Sequence, residues 1–262
     1  MNHQITAIIK KDIGSITSNK RMFTTLLVVP IVLTIFLPTI FILVLHFVPA
    51  EGQSLLKLLK MLPIYVQSGN SLHGFIELLL NYILPVFFLM IPIMTSSVMA
   101  ASSFVGEKEK RTLETLLYCP LSLKSIFRSK VAAAFLLSMF VSFISFAAML
   151  TVVEIETYVI TGSFVIPHPK WLLVMLLVSP AISLIAITLT VRVSAKAQSV
   201  EDAQQRAVFL LMPLLLLMIG QFTGILFINT WILLLLGTFC SLLAALLLKK
   251  CMGSFKYETL LK

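Results

Sequence analysis

Uninterrupted apolar runs separated by short polar clusters organise the chain. Crossing roughly 30 Å of hydrocarbon takes about 20 apolar residues in a helix. Six runs meet that length: Met22 to Val48, Phe75 to Val105, Val131 to Val153, Trp171 to Val193, Ala207 to Ile228 and Thr230 to Leu248. Each is free of Lys, Arg and Asp until its ends. Ahead of them, Ile5, Ile8, Ile9, Ile13 and Ile16 recur at helical spacing, with Lys10, Lys11 and Asp12 between them. That pattern predicts a helix lying in the membrane interface over residues 1–21. Between the first two runs, SLLKLLKMLP within Pro49 to Gly74 predicts a second, shorter interfacial helix. The expected fold is all-α: a polytopic membrane protein of six transmembrane helices, forming one membrane domain over residues 1–262 with no separate soluble domain.

Proline punctuates these runs. Pro30 and Pro38 fall in the first, Pro85 and Pro92 in the second, Pro180 in the fourth and Pro213 in the fifth. Each removes a backbone hydrogen bond and favours a local kink. The first 20 residues lack the short apolar core and small-residue cleavage site of a secretory signal, so the N-terminus is expected to be retained.

Composition agrees with a lipid-solvated chain. Only 12% of residues are charged and the mean hydropathy is +1.03, whereas soluble domains carry about 25% charged residues. The 20 Lys and Arg divide unevenly between the two sides that six spans define. Seventeen share the side of the termini, and only Lys57, Lys60 and Lys170 lie opposite. By the positive-inside rule both termini, the loop after the second span and the loop after the fourth are cytoplasmic. The net charge of +9 is then a basic membrane rim suited to anionic lipid headgroups, and it calls for no nucleic-acid partner. Cys119, Cys240 and Cys251 lack CxxC spacing and imply neither a disulfide frame nor a zinc site.

Enzymatic chemistry finds little to work with. His3, His46, His73 and His168 are scattered, without an HExxH or GxSxG constellation, and no GxxxxGK[ST] loop is present to cradle nucleotide phosphates. Ionisable groups at membrane depth are costly and usually functional. Those near the spans are Glu77, Glu154 and Glu156, all toward the outer side, and the uncharged candidates are Asn81, Ser102, Ser103, Gln221 and Thr223. Asn81, Ser102, Gln221, Thr223, Glu154 and Glu156 are the candidates for lining a substrate path.

Charge concentrates in one cytoplasmic segment, GEKEKRTLETLLYCPLS, from Gly106 to Ser122. On a helix Glu107, Arg111 and Glu114 share a face at i, i+4 and i+7, and Lys110 pairs with Glu114 at i, i+4. Leu113, Leu116 and Leu117 form the opposite, apolar side. Pro120 stops this helix, and Ser122 is placed to cap the next one. The segment closely resembles the cytoplasmic signature of type 2 ATP-binding-cassette exporter permeases, in which a Glu-rich Thr-Leu-Glu-x-Leu-Leu stretch followed by Pro-Leu-Ser joins the second and third helices.

The resemblance implies a coupling helix over 106–119, seated in a groove of a separate ATPase subunit. Glu107, Glu109, Lys110, Arg111, Thr112, Glu114 and Thr115 would then be coupling residues. Within that set Glu109, Arg111 and Glu114 would supply charge-assisted contacts, and Thr112 and Thr115 hydrogen bonds. SAKAQSVEDAQQ, from Ser194 to Gln205, resembles the second contact region of such permeases, with Glu201 and Asp202 facing the ATPase. The implied assembly is two copies of this permease with two ATPase subunits in a cell membrane, of bacterial type. The partner binds ATP and Mg, and this chain carries no cofactor. The implied cargo is an amphipathic or hydrophobic peptide, lipid or drug, with sodium extrusion as an alternative. Outside this class stand a membrane immunity or scaffold protein and an intramembrane lipid enzyme.

Overall fold

The structure is a computed structural model that describes residues 2–47, 76–109, 122–165, 167–194, 197, 199–222 and 230–254. Among the described residues the regular structure is entirely helical. Six helices are long and apolar enough to cross a membrane: Leu26–Val44, Ile76–Glu107, Leu123–Thr161, Lys170–Val193, Val200–Gln221 and Thr230–Gly253, here spans one to six. An N-terminal helix, Asn2–Ser18, precedes them. The expected interfacial helix within Pro49 to Gly74 lies outside the described residues.

Spans two, three and four form the centre. Their contacts are rich in small buried residues, among them Ser96, Ala100, Ala133, Ala134, Ser183 and Ala186. In a lipid-solvated bundle such residues let backbones approach closely, because apolar burial alone does not favour helix over lipid. Hydroxyls stitch the three spans together. Ser138 Oγ donates to the Pro92 carbonyl at 3.2 Å and lies 3.0 Å from Thr95 Oγ1, and Ser183 Oγ donates to Ser138 Oγ at 3.3 Å. Toward the other end, the rings of Phe88, Phe146 and Trp171 pack with centroids 5.0 to 5.8 Å apart.

Span three is 39 residues long, about 58 Å at 1.5 Å per residue. The apolar run of Val131 to Val153 is therefore the middle of a longer rod that leaves the hydrocarbon at both ends. Its start is capped as the sequence predicts, with Ser122 Oγ accepting the Ser125 N–H at 3.3 Å. Gly162, in the left-handed conformation at φ 70°, ends it, a geometry that glycine adopts without steric cost.

The prolines act through a common local device. One π-helical turn covers Val32–Phe36, another Leu79–Ile83 and a third Val174–Val178. Each ends two residues before a proline: Pro38, Pro85 and Pro180. The proline ring crowds the carbonyl four residues earlier, and widening the preceding turn moves that carbonyl away. Before Pro213 the adjustment is a 3-10 turn, Val208–Leu211. In span one the wide turn has a packing consequence. Leu26, Pro30, Thr34, Pro38 and Ile42 are buried at every fourth position, a stripe that would drift by about 40° per step on a regular α-helix. The π turn holds it against the bundle.

Span six touches the centre along a thin line through Leu233, Gly237 and Ala244. At Gly237 a β-carbon would lie 2.7 Å from Leu177 Cδ2 of span four, so the glycine permits the close approach.

Candidate functional site

At one end of the bundle, called the basal end here, the N-terminal helix, the end of span two and the start of span three converge on a buried set of charges. The N-terminal helix packs with Ile8, Asp12 and Ile16 inward, at i, i+4 and i+8. An aspartate in that apolar stripe, only 4% exposed, is costly unless other groups satisfy it. Ser103 Oγ of span two donates to Asp12 Oδ2 at 2.7 Å, and Lys130 Nζ of span three stands 3.7 Å from the same oxygen.

Lys130 is the hub. It is 2% exposed, lies 2.8 Å from Glu107 Oε2, and donates to the Ser103 carbonyl at 2.6 Å and to Ser103 Oγ at 3.2 Å. Its ammonium also sits over the Phe104 ring, 5.4 Å from the centroid. Lys11 of the N-terminal helix donates to the other Glu107 oxygen at 2.8 Å. Two cations thus face two carboxylates, the arrangement that lets ions stay charged inside a low-dielectric bundle.

One turn further along, span two meets the loop after span four. Glu109 Oε2 accepts the Val200 N–H at 3.2 Å. The short helix Val200–Ala207 that begins there has Ser199 as its cap, whose Oγ accepts the Asp202 N–H at 3.2 Å. A carboxylate at this helix start meets the positive end of the helix dipole. Beneath it Ala101, Val105, Ala197 and Ala203 form a small buried apolar cluster packed by Val200. The Val200 side chain also lies over Gly106, where a β-carbon would meet Val200 Cγ2 at 3.5 Å.

These positions revise the expected site. Gly106 to Glu109 continue the helix Met90–Glu109, and the rest of the expected coupling helix, 110–119, lies outside the described residues. Glu107, expected on a face turned to the cytoplasm, is 8% exposed and ion-paired inside the bundle. The reason is that its partners, Lys11 and Lys130, come from other helices. Glu109 is exposed and Glu201 is exposed, while Asp202 pairs with Arg206 at 2.8 Å on its own helix. Lys110, Arg111, Thr112, Glu114 and Thr115 lie outside the described residues, as does Thr223. On the N-terminal helix Asp12 was expected on the polar side with Lys10 and Lys11, but it is among the most buried positions of that helix.

The path candidates separate. Asn81 and Gln221 line one small cavity at the far end. Ser102 is half-buried near the basal end, 3.9 Å from where a β-carbon on Gly106 would sit. Glu156 Oε1 accepts the Thr39 hydroxyl of span one at 2.6 Å. The second oxygen of Glu156 and one oxygen of Glu154 are buried without a hydrogen-bond partner among the described residues. Between spans one, two and five lies a largely apolar cleft of about 170 Å³, lined by Leu26, Pro30, Met94, Val98, Gln204 and Leu211 among others.

Sequence reasoning passed over Asp12, Ser103 and Lys130 as a group. The available signal was an acid four residues from Ile8 and four from Ile16, on the face that the isoleucines mark as buried.

The sequence profile of the ABC-2 type transporter family matches residues 3–219. The match runs from the N-terminal helix through almost all of span five, and takes in both the charge cluster and the Glu109–Val200 junction. Comparisons with characterised proteins and with solved structures gave no match.

Proposed function

Because this chain belongs to the ABC-2 type transporter family and is a membrane permease of an ABC transporter, we propose that it exports an amphipathic or hydrophobic substrate, driven by ATP hydrolysis on a separate subunit. The observation that carries this reading is the Glu109–Val200 junction. The two loops expected to touch an ATPase meet there, so a push on segment 110–121 reaches spans two and four together. From Glu109 the helix Met90–Glu109 leads back to Glu107, and the Lys130 and Lys11 pairs carry the displacement to span three and the N-terminal helix.

Two ATPase subunits and a second copy of this permease complete the proposed assembly, with ATP and Mg held by the ATPases. The termini and the basal end face the cytoplasm of the cell. Lys110, Arg111, Thr112, Glu114 and Thr115, with Glu109, Glu201 and Asp202, form the docking surface, while Glu107 works from inside as a transmitter. The cleft between spans one, two and five, with its apolar walls, suits a peptide, lipid or drug better than a sugar.

Coexpression with the partner ATPase tests this. Glu109→Arg combined with Glu114→Arg is expected to abolish copurification and substrate-stimulated ATP hydrolysis while the permease melts at its usual temperature. Intact copurification and coupled hydrolysis would remove the docking assignment.

Sodium extrusion is the second reading, favoured by the unpartnered buried oxygens of Glu154 and Glu156. In proteoliposomes, ATP-dependent ²²Na transport that disappears in Glu156→Gln would select it over hydrophobic export.

A further inference from the structure

The basal end also carries cations that the charge cluster does not use. Lys124 and Arg128 lie in the first turns of span three, at i and i+4 on one face, and both are exposed. Span six brings a third exposed cation, Lys249. Arg128 Nε donates to Met252 Sδ at 3.5 Å, so the start of span three and the end of span six are neighbours. Lys249 stands one turn before Met252 on the same helix. Like charges at i, i+4 repel, and a third on the neighbouring helix end adds to the cost.

Among the described residues no carboxylate is paired with any of the three. Asp12 and Glu107, the buried acids of the basal end, are engaged by Ser103, Lys11 and Lys130. Exposed Glu109 belongs to the junction with Val200. A thioether is a weak acceptor, so the Arg128 guanidinium keeps its terminal N–H groups for a stronger one.

Two of these cations mark the edge of the hydrocarbon. Arg128 stands three residues before the apolar run that starts at Val131, and Lys249 directly follows the run that ends at Leu248. Toward the bilayer centre the surface beside them is apolar. Leu136, about two turns on from Arg128, and Leu246 and Leu242, about one and two turns back from Lys249, are all exposed. A cationic head above an apolar face is complementary to an anionic amphiphile. A second copy fits it poorly, because a two-fold contact centred here would set Arg128 and Lys249 against their own equivalents.

We propose that Lys124, Arg128 and Lys249 bind the headgroup phosphate of an anionic phospholipid in the leaflet at the basal end, with its acyl chains against Leu136, Leu242 and Leu246. Arginine offers a phosphate paired N–H groups, and the lysines add point charge. A basic rim by itself sets orientation, whereas cations meeting from two helices over an exposed apolar face make this part of the rim a lipid site. The site does not depend on the ATPase-coupled reading and stands or falls separately.

Native mass spectrometry of the full-length chain in detergent tests it, with dioleoyl phosphatidylglycerol, dioleoyl phosphatidylcholine or inorganic phosphate as the probe. Phosphatidylglycerol is expected to be retained, and phosphatidylcholine with the same acyl chains to be lost. Each of Lys124→Gln, Arg128→Gln and Lys249→Gln should weaken phosphatidylglycerol binding about fivefold, the worth of one cation beside an anionic headgroup. Lys170→Gln, which removes the same charge at the opposite end, should leave binding unchanged. Equal retention of the two lipids, native affinity in the three variants, or an equal loss in Lys170→Gln overturns the proposal. Competition by inorganic phosphate as effective as that by lipid overturns the lipid assignment. In a background without other cysteines, efficient crosslinking between two Lys249→Cys chains in phosphatidylglycerol vesicles would give this face to a second copy and overturn it as well.

Discussion

Lys130 shows how much a single side chain carries. With its head against Glu107, Asp12 and Ser103, Lys130→Met leaves Glu107 to Lys11 alone and the buried Asp12 to the Ser103 hydroxyl. Removing one partner of a buried ion pair costs about 3–5 kcal/mol, so this variant should melt far below the native chain in detergent. Adding Asp12→Asn and Glu107→Gln should recover part of the loss. An unchanged melting temperature for Lys130→Met would show that the cluster is not structural. Ser138→Ala makes the contrast. Ser138 links three spans through three hydrogen bonds, and each interhelical hydrogen bond in a membrane bundle is worth only about 0.6 kcal/mol, so a drop smaller than that of Lys130→Met is expected by the same assay. Sequence alone showed that Glu107 was charged and where its loop lay. It could not show Lys11, 96 residues away, or Lys130 on another helix, and a carboxylate in a charged run reads as solvated until its partners are known.

Helices were far more legible than their partners, because about 20 apolar residues in a row leave little choice in lipid. All six spans are present, with ends shifted where amphipathic turns extend them: span five starts at Val200 because the helix Val200–Ala207 runs into it. The prolines were visible, but not the π turns that accommodate three of them, since widening a turn depends on what the helix packs against. Gly237 gives an element-level prediction. A β-carbon there would lie 2.7 Å from Leu177 Cδ2, 2.8 Å from Leu177 Cγ and 3.2 Å from Val178 Cγ2. Gly237→Ala should therefore push the two spans apart slightly and lower the melting temperature. Gly237→Val should separate spans four and six and cost about 1–3 kcal/mol, seen as a lower melting temperature. The junction between span two and Val200–Ala207 is testable by crosslinking. In a background without other cysteines, Gly106→Cys with Val200→Cys should oxidise readily to a disulfide, because the side chains approach within van der Waals contact. Failure to crosslink would mean that the two loops do not meet in the membrane.

At the scale of the whole molecule, burial is uneven. Span two is largely enclosed and span four about half, whereas span six exposes Trp231, Leu235, Leu242 and Leu246, and span one exposes Phe36 and Ile40. In lipid these faces need no protein cover, and they leave apolar surface to which the proposed second copy can dock. The proposed direction in the membrane, with the basal end in the cytoplasm, rests on charge. Lys11, Arg128 and Lys130 gather at the basal end, and Arg128 reaches Met252 near the end of span six. Lys170 lies at the opposite end, where span three terminates at Gly162. Translocating the basal end would carry most of the 17 cations of that side across the bilayer, against a bias that normally keeps Lys and Arg inside. Single cysteines read this out. Ser163→Cys, on the exposed turn after span three, should react with a membrane-impermeant maleimide on intact cells. Ser18→Cys, exposed at the end of the N-terminal helix, should react only after the cells are opened. The reverse pattern would invert the molecule and turn the Glu109–Val200 junction away from any cytoplasmic ATPase, so this labelling decides the coupling proposal before any transport is measured.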